Sequence, residues 1–290
     1  MKVIFVVGST ASGKSDYALA RAEQKHGAIV NCDSIQLYQG LEIGSALPAP
    51  EDQKRVPHFL FSYVPKGEKM TAGKYRRDFY ELMKKIENQF AEILVVGGTG
   101  FYFQAIEKGM FPVGAANPEV RLAIEEKLKT EAGAEDVYRQ FQSLDPQAAQ
   151  KISANDHYRL ARAMELMTVQ GKTLTQIKAE FQQKKSDFPW PLEKIGLRLA
   201  KEELLQRVRL RTEKMLARGL IEEVRGLMQE GLADWEPLNS VGYKETREFL
   251  KGSAEIPDEK ALTEKIILNT MKLAKKQRTW FQRDPEIHWL

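Results

Sequence analysis

Short apolar, β-branched runs recur along the chain, separated by longer stretches in which apolar residues return every three or four positions. The runs fall at 3–7, 28–30, 58–61, 93–96 and 195–199. Each is too short for a helix and predicts a buried strand. The intervening stretches predict helices, and such alternation predicts a parallel sheet covered on both faces. The alternation fails between about 117 and 186, where Pro118, Asp145-Pro146 and Asn155-Asp156 punctuate helix-like segments and no strand pattern occurs. This predicts an all-helical insertion domain at 116–189 within a core formed by 1–115 plus 190–290. The segment 186–191, from Ser186 to Pro191, contains two prolines and predicts a return linker. Helices are then predicted near 201–217, 219–230, 240–250 and 258–283, followed by a short tail at 287–290.

Composition narrows the class. The 290 residues carry 44 Lys+Arg against 40 Asp+Glu, a net charge of +4, and 42% are hydrophobic. A disordered chain, a collagen and a disulfide-stapled miniprotein are excluded. Cys32 is the only cysteine, which rules out an intrachain disulfide or a cysteine-rich zinc site and suits a reducing, cytoplasmic setting. The opening apolar run stops at Gly8, too short for a secretory leader, and no run approaches the roughly 20 residues of a membrane span. The four histidines show no metal-ligand spacing.

Candidate chemistry begins at the first turn. Gly8, Ser9, Thr10, Ala11, Ser12, Gly13, Lys14 and Ser15 match G-x4-G-K-[ST], directly after a predicted strand and at the start of a predicted helix. Backbone N–H groups of such a loop hold a di- or triphosphate, the lysine neutralises charge, and the hydroxyl of Ser15 reaches Mg2+. The expected fold class is therefore α/β, a P-loop NTPase-like parallel sheet flanked by helices, with an all-helical insertion domain. A phosphate loop does not fix the reaction. In an ATPase a second strand ends in an acid that helps hold Mg2+, yet the run 93–96 ends in Gly97-Gly98-Thr99-Gly100. The acid at a strand end is Asp33. Strand ends converge on the ligand crevice of a doubly wound sheet, so Asp33 and Thr99 are expected beside the phosphates. Each also reads as a helix cap, Thr99 for a helix at 101–108, and capping is compatible with function.

Two basic clusters stand out. Arg207, Arg211, Lys214 and Arg218 are spaced by four, three and four, which puts them on one helix face, either a solvated face opposite Val208 and Met215 or a phosphate-binding one. Residues 266–283 contain Lys272, Lys275, Lys276, Arg278 and Arg283 with no acid, interleaved with Trp280 and Phe281. That pattern reads either as a nucleic-acid surface or as an amphipathic helix whose aromatics pack in the core.

At this point the sequence resembles the bacterial-type tRNA dimethylallyltransferases, or isopentenyl-tRNA transferases. The matching stretches, in order, are 8–15, 33–45 (DSIQLYQGLEIGS), 96–102 (VGGTGFY), 117–121 (NPEVR), 241–245 (VGYKE) and the basic ending 272–281. Ser9 stands where the family usually has Pro, Ser15 and Ser45 where Thr is common, and Leu47 where Lys is usual. A zinc finger of the kind some eukaryotic members carry could not be built with one cysteine.

The resemblance implies transfer of a dimethylallyl group from dimethylallyl diphosphate to N6 of the adenosine 3′-adjacent to the anticodon, with the P-loop holding a diphosphate leaving group. It assigns catalysis to Asp33, Thr99, Lys14 and Arg211, and diphosphate binding to Gly8–Ser15 together with Arg211. Contacts to the tRNA anticodon arm are implied for Asp33, Ser34, Ile35, Gln36, Thr99, Arg121, Tyr158, Arg159, Arg162, Gly242, Tyr243 and Lys244. The cofactor implied is Mg2+ on Ser15, and the expected state is a cytoplasmic monomer with no membrane partner. Three other readings share parts of this pattern: a small-molecule P-loop kinase, an adenylate isopentenyltransferase, and a non-catalytic RNA-binding protein.

Overall fold

A computed structural model describes residues 1–110, 117–183 and 187–290. The core opens with β1 (Lys2–Gly8), α1 (Lys14–Gln24) and β2 (Gly27–Asn31), followed by α2 (Pro50–Arg55) and β3 (His58–Phe59). Next come α3 (Ala72–Ile86), β4 (Glu92–Val96) and α4 (Gly100–Lys108). The helices α5 (Pro118–Lys127), α6 (Glu131–Leu144), α7 (Pro146–Ala149), α8 (His157–Gln170) and α9 (Leu174–Gln183) make up the insertion. The chain then returns through β5 (Leu192–Leu197), α10 (Lys201–Ala217), α11 (Leu220–Gln229), a 3-10 turn (Glu236–Asn239), α12 (Tyr243–Leu250), α13 (Glu259–Phe281) and β6 (His288–Trp289).

The six strands form one sheet in the order β3-β2-β4-β1-β5-β6, and every pairing is parallel. Alternation along β1 explains why its run is continuously apolar. Ile4 and Val6 join Ala18 and Ala22 of α1 on one face, while Phe5 turns to the other, its ring 4.9 Å from that of Phe103 in α4. The C-terminal ends of β2, β4 and β1 are neighbours, which brings the turns after all three to one edge. Gly97 is required there by close approach, since a Cβ would lie 2.0 Å from the carbonyl oxygen of Cys32.

Some sequence expectations shift. The strand expected at 58–61 is only His58–Phe59, and the fifth strand begins at Leu192, three residues before its predicted start. The helix expected at 240–250 begins only at Tyr243, as α12, because Gly242 takes φ 94°, and a 3-10 turn at Glu236–Asn239 precedes it. The tail contains a strand: β6 pairs with β5 through Ile195–His288 and Gly196–Trp289. Two compact units are present, Met1–Glu107 with Phe188–Leu290, and Lys108–Asp187. The return segment 188–191 is pinned to the core, with Phe188 5.8 Å from Phe5 between ring centres and the Trp190 indole donating to Glu87 at 2.8 Å. The expected boundary at 115–116 and the linker residue Ser186 lie outside the described residues.

In the second unit the predicted punctuation residues Asp145 and Asp156 act as caps, accepting from Ala148 and Arg159, and Asn117, just before Pro118, accepts from Val120. Its core gathers Val137, Phe141, Leu160 and Ile177.

Candidate active site

The phosphate loop follows directly from the end of β1. Gly13 occupies the N-cap of α1 at φ 90°, a left-handed conformation that suits glycine, and no side chain caps the helix. The first-turn N–H groups of α1 are therefore left open to an anion. The Oγ of Ser12 is buried and has no hydrogen-bond partner among the described residues. A phosphate oxygen would satisfy it. Lys14 folds over the loop and donates from Nζ to the carbonyl of Ser9 at 2.5 Å. Ser15 is exposed beside it.

Asp33 follows β2 in a tight turn. Its Oδ1 accepts from the N–H of Ile35 at 2.9 Å, an Asx turn. Buried Asn31 holds the backbone of Asp33 on both sides, accepting from its N–H at 2.9 Å and donating to its carbonyl at 3.1 Å. Oδ2 makes no hydrogen bond among the described residues. Capping and availability thus fall on different oxygens of one carboxylate. The Thr99 hydroxyl accepts from the N–H of Ser34 at 3.0 Å and meets the Ser34 Oγ at 3.2 Å. It braces the turn carrying Asp33 instead of capping α4, which is a correction to the capping alternative.

Arg211 reaches into the site from α10, donating to the carbonyl of Ser45 at 3.3 Å. Burial pushes Lys14 down to about 8, against the pull of Asp33 and with a further push from Arg211. Burial likewise lowers Arg211, again opposed by Asp33. Two cations sharing one carboxylate leave the site with unbalanced positive charge, the complement of a polyanion.

These groups line one cleft of about 470 Å³, with the phosphate loop at one wall and Arg207, Arg211, Lys214 and Arg218 along another. Arg207 is paired with Glu203 at 2.9 Å, whereas Lys214 and Arg218 have no ion-pair partner among the described residues. The helix face is thus a cleft wall as well as a solvated surface. A smaller pocket of about 90 Å³, lined by Ile35, Val208, Val241, Ile266 and Leu273 together with polar Thr212, Ser240 and Thr270, shares Thr10, Asp33, Ser45, Arg211, Met215 and Gln277 with the cleft. Asp33 therefore stands where the two cavities meet.

Sequence reading missed Gln277. Its Oε1 accepts from the N–H of Thr10 at 2.8 Å and its Nε2 donates to the carbonyl of Gly98 at 3.1 Å, so α13 ties the phosphate loop to the loop after β4. Its position one residue before Arg278 in a basic helix gave no local signal.

Of the remaining expected residues, Gln36 donates to the carbonyls of Ser45 and Ala46 at 3.1 and 3.0 Å. Gly242 and Lys244 flank Tyr243 at the start of α12, with Lys244 exposed. Tyr243 is fully buried, its hydroxyl bonded to Glu223 at 2.8 Å. A direct tRNA contact by that ring is corrected to a place inside the protein. In α13, Phe281 packs into the core 6.0 Å from Phe103 while Trp280 remains 41% exposed. Of the two aromatics, only Phe281 packs in the core as the amphipathic-helix alternative expects. Lys272, Lys275, Lys276, Arg278 and Arg283 are exposed and have no ion-pair partner among the described residues.

Within the second unit, Arg121 pairs with Glu125 at 2.7 Å and lies 5.5 Å over the Tyr158 ring. Tyr158 is exposed, Arg159 sits 3.4 Å from Asp156, and Arg162 is held at 2.6 Å by the buried carboxylate of Glu165.

The fold and site define a P-loop α/β protein whose phosphate loop faces a carboxylate and a half-buried arginine across one cleft. The chain belongs to the IPP transferase family, whose sequence profile it matches over residues 36–284. It is 52% identical over 287 residues to the tRNA dimethylallyltransferase of Bdellovibrio bacteriovorus, covering 99% of this chain and 92% of that one. Among solved structures it resembles the full-length tRNA isopentenylpyrophosphate transferase of Bacillus halodurans, with a TM-score of 0.71, 28% identity and coverage of 100% of this chain and 89% of that one. A eukaryotic dimethylallyltransferase acting on tRNA shares the fold at TM-score 0.83 and 22% identity, covering 100% and 74%. Among the described residues no helix is long and apolar enough to cross a membrane.

Proposed function

We propose that the protein transfers the dimethylallyl group of dimethylallyl diphosphate to N6 of the adenosine 3′-adjacent to the anticodon in tRNA, releasing diphosphate. The observation that carries the reading is the position of Asp33, whose Oδ2 is free of the turn where the cleft lined by the phosphate loop meets the smaller pocket containing Ile35, Val208, Val241, Ile266 and Leu273. Adenine N6 is a weak nucleophile because its lone pair is delocalised. As it attacks the allylic carbon, Asp33 takes its proton and the carbon–oxygen bond electrons leave with diphosphate. Lys14, Arg211 and the loop amides from Gly13 to Ser15 stabilise charge that grows on the leaving group, an interaction stronger in the transition state than before it. Thr99 acts through Ser34, keeping the Asp33 turn in place.

The residues present fit Mg2+ in a limited way. No group of three or more His, Cys, Asp or Glu suited to a metal occurs among the described residues, so Ser15 would supply one oxygen and the substrate phosphates others. Bound there, the ion supplies neutralisation of the diphosphate charge.

Access of N6 to Asp33 requires the base to leave its stack, which an RNA loop permits more readily than a duplex. Ser34, Ile35 and Gln36 are the neighbours it would meet, and Gly242, Lys244, Arg121, Tyr158, Arg159 and Arg162 are further proposed contacts. The protein is proposed to act in the cytoplasm as a monomer. The five unpaired cations of the α13 region favour tRNA over AMP or a small-molecule phosphate acceptor. Replacing Lys275 or Lys276 by Ala is expected to lower the slope of log affinity for tRNA against log salt by about 0.7–0.9 for each tRNA phosphate that the lysine neutralises. Fluorescence anisotropy over a salt series checks this, and an unchanged slope in both variants removes α13 from the interface.

The direct test incubates the protein with Mg2+, labelled dimethylallyl diphosphate and unmodified tRNA, with AMP and ATP in parallel. Label is expected on the adenosine next to the anticodon after digestion. Label on AMP alone would establish an adenylate transferase, and ATP turnover without transfer a kinase.

A further inference from the structure

The segment 42–45 is wound around a carboxylate from a distant helix. Glu223 of α11 accepts from three successive backbone N–H groups, those of Glu42 at 3.0 Å, Ile43 at 2.8 Å and Gly44 at 3.1 Å. The fourth N–H in the row, that of Ser45, donates to the Tyr243 hydroxyl at 3.1 Å, and this hydroxyl in turn donates to Glu223 at 2.8 Å. Four consecutive backbone donors thus converge on one carboxylate and its tyrosine. Such a concave row of N–H groups is an anion-binding nest, and here the anion is the protein's own.

The far side of this loop faces the reaction site. The Ser45 carbonyl accepts from Arg211 at 3.3 Å and from Gln36 at 3.1 Å. Among the described residues it is the only hydrogen-bond partner of the Arg211 guanidinium. A long side chain with five donors and one protein acceptor takes its direction from that acceptor. Ser45 also lines both cavities.

We propose that Glu223 is a positioning residue for leaving-group binding, acting with Tyr243 through the 42–45 loop and the Ser45 carbonyl to aim Arg211 at the diphosphate. The proposal rests on the reading that this cleft binds diphosphate. A carboxylate is needed because all four of its contacts are donors. In Glu223→Gln the amide N–H2 would face at least one backbone N–H, and the loop would have to turn away. Burial, followed by the neighbouring carboxylate, pushes the Tyr243 hydroxyl well above its ordinary range, which keeps it protonated as the donor this arrangement uses.

The experiment is a double-mutant cycle read by calorimetric titration of inorganic diphosphate with Mg2+ into wild type, Glu223→Gln, Arg211→Ala and the double variant. Glu223→Gln is expected to weaken diphosphate binding about tenfold, the scale of one charge-assisted hydrogen bond, and to add nothing once Arg211 is Ala. Tyr243→Phe, a smaller change, carries the same cycle should Glu223→Gln not fold, with a lesser weakening that is again absent in the Arg211→Ala background. In transfer kinetics Glu223→Gln is expected to raise KM for dimethylallyl diphosphate without raising that for tRNA. Additive losses, or wild-type diphosphate affinity in both single variants, would overturn the proposal. A wild-type protein that binds no diphosphate would sink the phosphate-site reading itself, and the proposal with it.

Discussion

Asp33→Asn is expected to slow dimethylallyl transfer about 10²–10⁴-fold, the usual range for loss of a general base, with tRNA affinity and thermal stability close to wild type. The expectation rests on how the carboxylate divides its work. Oδ1 accepts from Ile35 at 2.9 Å to form the Asx turn, and an asparagine oxygen makes that bond equally well. The backbone of Asp33 is held independently by the Asn31 side chain at 2.9 and 3.1 Å. Only the second oxygen changes, from an acceptor of the N6 proton to an amide that cannot take it. Asp33→Ala removes the turn as well, so it should lose comparable activity and some stability, about 0.5–2 kcal/mol for a missing capping interaction. Single-turnover rates with saturating tRNA, alongside melting curves for both variants, separate the two contributions. Turnover near wild type in Asp33→Asn would remove Asp33 from the base role and leave it as the anchor of the turn.

What the sequence made legible follows from how far apart the cooperating residues lie. The phosphate loop is eight consecutive residues whose conformation is largely local, and its strand and helix context is equally local. Asp33 and Thr99 could be placed because strand ends in a parallel sheet converge, although the Thr99 hydroxyl turned out to brace Ser34. The spacing of Arg211 left a solvated face and a phosphate-binding one equally open, and only the family resemblance chose the second. Gln277 and Glu223 carried nothing. Gln277 meets Thr10 across 267 positions, and Glu223 meets the 42–44 backbone across 179 to 181. Their partners are main-chain groups, which have no sequence signature. The same reason hid β6, two residues whose strand character exists only through pairing with β5. Tyr243 shows the converse: the resemblance put its segment against tRNA, but burial of its ring depends on α11 and the 42–45 loop packing around it.

Lys14→Ala is expected to reduce transfer about 10²–10³-fold, the scale of removing one electrostatic stabiliser of a developing anion, and to weaken diphosphate binding with it. The pH dependence makes the prediction specific. Burial holds Lys14 at about 8 in the free protein, against 10.5 for an ordinary lysine. Diphosphate binds the ammonium form, so kcat/KM for dimethylallyl diphosphate should fall as pH rises through about 8. The bound anion favours the charged lysine, so the corresponding limb of kcat should lie at higher pH. Stability should move the other way. Between about 8 and 10.5 the unfolded chain holds the Lys14 proton while the native protein has released it, so the contribution of Lys14 to stability rises with pH across that window. Below it, the cost of burying a charged ammonium is fully felt, and a bound diphosphate offsets it. The substrate-free protein therefore keeps its loop lysine in a setting that favours the neutral amine, which makes diphosphate binding and lysine protonation mutually reinforcing. Paired titrations of diphosphate affinity and melting temperature from pH 7 to 10 test this. Opposite slopes that both flatten in Lys14→Ala are expected, and an alkaline fall in affinity that persists in Lys14→Ala would assign the titration to another group.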